Sequence, residues 1–190
     1  MANNHQDHNP VKVVTGANTR WSYLNVWDAR SINGSAPKYS ISLIIPKSDT
    51  QTIAKIKAAI EAAYRDGLGK LRGTSKAAPP LAAVKSPLRD GDVERPEDPA
   101  YENAYFLNAN SSKRPEIVDA GCNPIFDHSE VYSGVYGKAS ISFFAFNNNG
   151  VKGIACGLNN LQKLRDGEHL DGYTSALDDF GTSFDDDFLN

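Results

Sequence analysis

Tyr136-Gly137-Lys138-Ala139-Ser140-Ile141-Ser142-Phe143-Phe144-Ala145-Phe146 alternates between two kinds of residue. One parity, Gly137, Ala139, Ile141, Phe143 and Ala145, is small or apolar. The other, Tyr136, Lys138, Ser140, Ser142, Phe144 and Phe146, mixes rings, a cation and hydroxyls. A period of two marks a β-strand, and a small or apolar face suits the interior of a narrow barrel. The outer face is the unusual one. Water alone does not call for three aromatic rings, and a core has no place for a lysine and two serines. Asn147-Asn148-Asn149-Gly150 then reads as a turn, with Val151 to Leu158 returning as the second strand of a hairpin.

The rest of the chain reads outward from this hairpin. Val11 to Asp28 is rich in β-branched and aromatic residues, with Trp21, Tyr23 and Trp27 on one parity. Gly34 and Pro37 punctuate a turn. Lys38 to Ile45 is a second strand, with Tyr39, Ile41, Leu43 and Ile45 on one face and Ser40 and Ser42 on the other. Ser48 or Asp49 caps a helix that runs to about Tyr64, where Ile53, Ile56, Ala59, Ile60 and Ala63 keep helical spacing. Gly67 and Gly69 stop it. Residues 70–100, with Pro79, Pro80, Pro87, Pro96 and Pro99, read as a long irregular insertion. Tyr105 to Ala109 and Glu116 to Val118 are short strands around a Lys113-Arg114 turn. About five strands and one principal helix in one domain make a mainly β, α+β chain, closed as a small barrel rather than a βαβ sheet.

Composition bounds the function. The 190 residues are 40% hydrophobic and 23% charged, ordinary for one globular domain. The longest apolar run is far short of a membrane span, and Met1 to Pro10 is polar, which predicts a flexible arm on a cytoplasmic protein. Cys122 and Cys156 lack metal-ligand or disulfide-framework spacing. The net charge of −3 hides an asymmetry. Eight of the 23 acids lie from Asp166 onward, where there is no Lys or Arg. The other 15 face all 20 bases in residues 1–165, a net of +5. A basic body on an acidic tail suits a partner that is a polyanion, although charged tails also serve solubility alone.

No motif of catalysis stands out. The acids between Arg89 and Asp98 lack EF-hand spacing and read as a solvated loop. His5, His8, His128 and His169 are scattered, and no phosphate-binding glycine loop occurs. The expectation is a binder that needs no cofactor, metal or catalytic residue. Flat rings beside cations fit a single-stranded nucleic acid, because every base offers a π-face and lysines follow the phosphates. The candidate DNA-binding residues are Arg20, Trp21, Tyr23, Lys38, Tyr39, Lys113, Arg114, Tyr136, Lys138, Phe144 and Phe146. Trp27 is expected in the core. The competing reading puts Phe144 and Phe146 under the helix or at the interface of a homo-oligomer.

Four separated motifs carry a resemblance. Pro37-Lys38-Tyr39-Ser40 with Ile44-Ile45-Pro46-Lys47, Pro87-Leu88-Arg89-Asp90-Gly91-Asp92, Tyr132-Ser133-Gly134-Val135-Tyr136-Gly137 and Gly153-Ile154-Ala155-Cys156-Gly157-Leu158-Asn159-Asn160 resemble a family of phage and prophage OB-fold single-stranded DNA-binding proteins. The resemblance spans Val11 to Gly167. It implies an OB-type five-stranded β-barrel with long loops and a disordered acidic C-terminal tail. It further implies non-sequence-specific binding of single-stranded DNA in phage DNA replication or recombination, in the host bacterial cytoplasm. The expected organisation is an arm over 1–10, an OB-fold domain over 11–165 and a tail over 166–190. Tails of such proteins dock onto replication or recombination proteins, and Asp185, Asp186, Asp187, Phe188 and Leu189 have that composition; Asn190 departs from it by following the apolar pair. The alternative is a phage structural or assembly protein using the aromatic face as a protein interface. A hydrolase with a metal site in the acidic loop is a third reading.

Overall fold

A computed structural model describes residues 9–172. The N-terminal arm with His5 and His8, and the tail from Tyr173 including Asp185 to Leu189, lie outside the described residues. The strands are β1 (Lys12–Val14), β2 (Arg20–Arg30), β3 (Lys38–Pro46), β4 (Arg89–Asp90), β5 (Ala104–Ser111), β6 (Glu116–Val118), β7 (Tyr136–Asn148) and β8 (Val151–Arg165). The helices are α1 (Thr50–Asp66), α2 (Leu68–Arg72) and α3 (Gly91–Glu94). Five strands pair in a ring, β7–β2–β3–β5–β8 and back to β7. All these pairings are antiparallel except β5–β8, which is parallel. This is the OB-type barrel. No helix among the described residues is long and apolar enough to cross a membrane.

Local chemistry explains the elements. The Asp49 side chain caps α1 by accepting the Thr52 amide at 3.1 Å. One stripe of the helix, Ile53, Ile56, Ala59, Ile60 and Ala63, is buried against the barrel core. The β7–β8 hairpin turns through Asn149 (φ +52°) and Gly150 (φ +85°), the residue pair that tolerates left-handed backbone in a two-residue turn. β7 keeps its alternation to Ala145. Gly137, Ala139, Ile141, Phe143 and Ala145 are buried, and the opposite parity is partly or well exposed.

Two expectations are corrected. The stretch from Val11 to Asp28 is two strands, broken at Gly16-Ala17-Asn18. Trp21 is fully buried, not exposed for stacking, and its Nε1 donates to the Gly137 carbonyl at 3.3 Å. A Cβ on Gly137 would lie 2.7 Å from that ring, so only glycine leaves room for it. The shared parity of Trp21 and Tyr23 misled because β2 bulges between them and Asn25, with Tyr23 at φ +47°. One extra residue flips the alternation, so Trp21 points in while Tyr23 is 58% exposed.

Residues 70–100 form the irregular insertion expected, with short helical turns and a two-residue strand, and the chain after it is packed. Tyr101, Ala104, Phe106 and Ile44 make a second buried cluster on the outside of β3. Tyr101 packs edge-on to Phe106, and its hydroxyl bonds the buried Ser42 hydroxyl at 2.9 Å. The acidic loop is clamped: Lys47 Nζ lies 2.8 Å from Asp90 and 2.6 Å from Asp92, and Asp92 also accepts the Asn103 amide. These carboxylates are already occupied by a lysine, which removes the basis for a metal there. The packed chain also runs past Arg165. Arg20 holds the Glu168 carbonyl, and the Leu170 amide reaches the Ser133 carbonyl.

Two outcomes follow from this packing. Trp21→Ala is expected to cost about 3–5 kcal/mol of stability, as for other large core rings, measured by denaturant unfolding. A loss below 1 kcal/mol would contradict its place in the core. The Lys47 ammonium and the Asn103 amide hold the Asp92 carboxyl below the ordinary carboxylate range, while Asp90 and Asp92 push Lys47 up. A lowered carboxylate contributes above its unfolded pKa and is lost as pH falls through the folded one; a raised lysine contributes below its unfolded pKa and is lost as pH rises through the folded one. The clamp is therefore intact across neutral pH. Asp92→Asn is expected to speed hydrogen exchange at the Asn103 amide at pH 7 while leaving β7 amides unchanged; equal exchange in both proteins would contradict the clamp.

Candidate nucleic-acid interface

Strand register builds a continuous row around the outside of the barrel. Asn25 on β2 pairs with Ser40, Ser40 with Asn110, Asn110 with Gly157, Gly157 with Ser142, and Ser142 with Lys12 on β1. Beside it Ser42 pairs with Asn108. The inward neighbours of these residues, Ile41, Leu107, Ala109, Ile141 and Cys156, fill the core. The outward floor is thus hydroxyls, amides and glycine, with no bulky apolar group. Such a floor is shallow, polar and able to pair with base edges or phosphates.

Rings and cations rise on either side. Over β2, β3 and β5 lies a cleft of about 420 Å³, lined by Tyr23, Asn25, Arg30, Lys38, Ser40, Arg95, Asn108 and Asn110. Arg95 comes from the loop after α3. Its guanidinium carbon is 5.1 Å from the centre of the Tyr23 ring, 4.7 Å from that of Tyr101 and 5.1 Å from that of Phe106. Stacking on several rings fixes a guanidinium plane without neutralising it. Among the described residues Arg30, Lys38 and Arg95 form no ion pair. On the β7–β8 side Phe144 is 49% exposed and pairs with Ala155; its ring edge is 3.5 Å from where a Gly157 Cβ would stand. Small residues on β8 therefore leave the phenyl face open.

The residues expected from sequence do not gather in one place. Tyr23 and Lys38 line the cleft, with half-buried Tyr39 next to Lys38 at the start of β3. Phe144 and half-buried Phe146 stand on the hairpin. Tyr136 lies at the far end of β7, with Arg20 and Arg165 at 5.2 and 4.0 Å from its ring centre. Arg20 spends its donors on the Gly134 and Glu168 carbonyls, a structural role. Lys138 is half-buried beside the β1–β2 turn. Exposed Lys113 and Arg114 follow β5, and Arg114 sits 5.4 Å from the Trp27 ring centre. Trp27, expected in the core, packs against it while only partly buried, and stacks on His128 at 4.2 Å.

Arg30, Arg95, Asn25, Asn108 and Asn110 were not expected from sequence. The two asparagines on β5 alternate with Leu107 and Ala109, a signal present in the sequence. Arg95 carried none, because its position depends on how the insertion folds back. Among the described residues no group of three or more His, Cys, Asp or Glu could hold a metal ion. Burial pushes the Cys156 thiol up, so it stays protonated and unreactive.

Known proteins share this architecture. The solved structure of the single-stranded DNA-binding protein from bacteriophage Enc34, in complex with single-stranded DNA, superposes with a TM-score of 0.72 at 25% identity, covering 85% of this chain and 90% of that one. The gp2.5 protein, a single-stranded DNA-binding protein encoded by bacteriophage T7, shares the fold at a TM-score of 0.60 and 14% identity, over 86% of this chain and 97% of that one. Putative protein p50 of Acyrthosiphon pisum secondary endosymbiont phage 1 is 30% identical over 159 residues, 82% of this chain and 84% of that protein. The phage family described as the single-stranded DNA-binding protein of Enterobacter phage Enc34 matches residues 11–189, and this chain belongs to it.

Proposed function

We propose that this protein binds single-stranded DNA non-covalently and with little base preference, in phage DNA replication or recombination in the host cytoplasm. The observation that carries the reading is the outer cleft of β2, β3 and β5. There three cations without an ion pair among the described residues, Arg30, Lys38 and Arg95, flank the exposed Tyr23 over a polar floor. Cations neutralise phosphates and release counterions, and rings take bases by their faces, which are common to all four. The family, and the DNA held by the Enc34 relative, support the same reading. The strand would leave the cleft over Gly157 toward Phe144, following the register row. The chemistry is binding alone, with no bond made or broken and no cofactor.

The domain is the packed barrel with its short strap through Leu170, and the chain beyond is an acidic tail that recruits replication or recombination proteins. Its aspartates would steer a partner, and Phe188 and Leu189 would anchor it. In the free protein the tethered acids would also compete with DNA for the cations of the cleft, since a tether keeps local concentration in the millimolar range, roughly.

Two outcomes test this. Phe144→Ala or Arg95→Ala is expected to weaken oligo-dT binding by roughly 1–3 kcal/mol without lowering the unfolding midpoint by more than a few degrees, and Lys38→Ala to reduce the salt slope. Binding that ignores salt, or prefers duplex, would overturn the cleft. Removing residues 173–190 is expected to tighten binding at low salt, with the gain shrinking as salt rises. Unchanged affinity at low salt would eliminate the competition.

A further inference from the structure

A second cleft, of about 400 Å³, lies between β2, β6 and the 124–126 segment. Trp27, Arg114, Glu116, Ile117, Ile125 and Phe126 line it. Three features of it stand out. Phe126 is 83% exposed, the most exposed large apolar side chain among the described residues. Trp27 Nε1 is buried with no hydrogen-bond acceptor among the described residues, although a buried donor is costly to leave unpaired. The β2–β3 pairing also loses register between Asn25 and Arg30, so that a bulge holds Trp27 there. Bulges recur where a strand re-aims a side chain for function.

The cleft continues the proposed groove. Trp27, which packs partly against the core, follows Asn25 of the groove by two residues on β2, roughly 7 Å along the strand. On the other side β5 leads from Asn110 in the groove to Arg114 in the cleft. The charge of the lining selects the occupant. Arg114 and Glu116 are its ionised groups and offset each other, so a phosphate or an acidic peptide gains no net attraction. A neutral flat ring with its own donors and acceptors matches an exposed phenyl, a carboxylate, a guanidinium and an indole N–H. On these grounds, and resting on the groove reading above, we propose that the cleft is a nucleobase subsite. It takes one unstacked base of a strand that already fills the groove, between Phe126 and Trp27.

The two tryptophans make the test direct. Trp21 is fully buried in the core, so a change of tryptophan emission on binding reports Trp27. The full-length protein and Phe126→Ala, whose exposed ring the fold does not need, are titrated with oligo-dT of increasing length, from about 4 to 16 nucleotides. Short oligomers are expected to bind both proteins equally, with emission unchanged. Beyond a threshold length emission should fall in the wild type, and only there should Phe126→Ala lose roughly tenfold in affinity. Equal affinities at every length, a loss of the same size at every length, or tight binding with constant emission would each overturn the subsite and leave the groove standing. Failure of every oligomer to bind would overturn both.

Discussion

Trp21 closes the barrel where its strand pairing is thinnest. β2 and β7 share a single ladder pair, Arg20 with Tyr136, and the rest of that seam runs through Trp21 and Thr19, on either side of Arg20. The Trp21 amide donates to the Val135 carbonyl at 2.9 Å, its carbonyl accepts from Gly134 at 2.8 Å, and the ring fills the space above Gly137. A ring of five strands has no free edge only if this seam holds. Everything outside the barrel is positioned by that closure, because an open sheet would not bring β7 and β8 round beside β5.

Closure turns a set of local alternations into one surface. Each strand puts its apolar parity inside, so the polar parities line up outside in the order the register dictates. The floor from Asn25 to Ser142 is the by-product of a core that needs Ile41, Ala109, Cys156 and Ile141 facing inward. The cations and rings are then added from irregular segments. Tyr23 is turned out by a bulge, and Arg95 is brought in by the segment that Tyr101, Phe106 and the Lys47 clamp fasten to β3. A rigid barrel with positioned loops is a general arrangement for binding surfaces.

The sequence made β3, α1, β6 and the β7–β8 hairpin legible, because each has clean periodicity and a turn or cap at its end. Asp49 and the Asn149-Gly150 turn act as their residue types suggest, whereas Gly67 caps α1 at φ −96°, open to any residue, and Gly69 lies inside α2 rather than stopping a helix. Parity failed at β2, where a single bulged residue exchanges inside for outside and a count of alternating positions cannot see it. Trp21 therefore enters the core, and Trp27 packs partly against the core while lining a cleft. The binding face was legible in part. Tyr23, Lys38 and Phe144 are exposed on strands, while Arg95 reaches the cleft from a segment whose fold rests on a tyrosine hydroxyl meeting a buried serine.

The central claim is that single-stranded DNA lies across the outer faces of β2, β3 and β5. Backbone hydrogen exchange of the full-length protein with and without saturating oligo-dT tests it most directly. The account requires slower exchange at Tyr23 to Asn25, around Ser40 and at Asn108 to Asn110, with α1 unchanged. Protection confined to α1 or to the β1–β2 turn, with the β2–β3–β5 face unaffected, would contradict it.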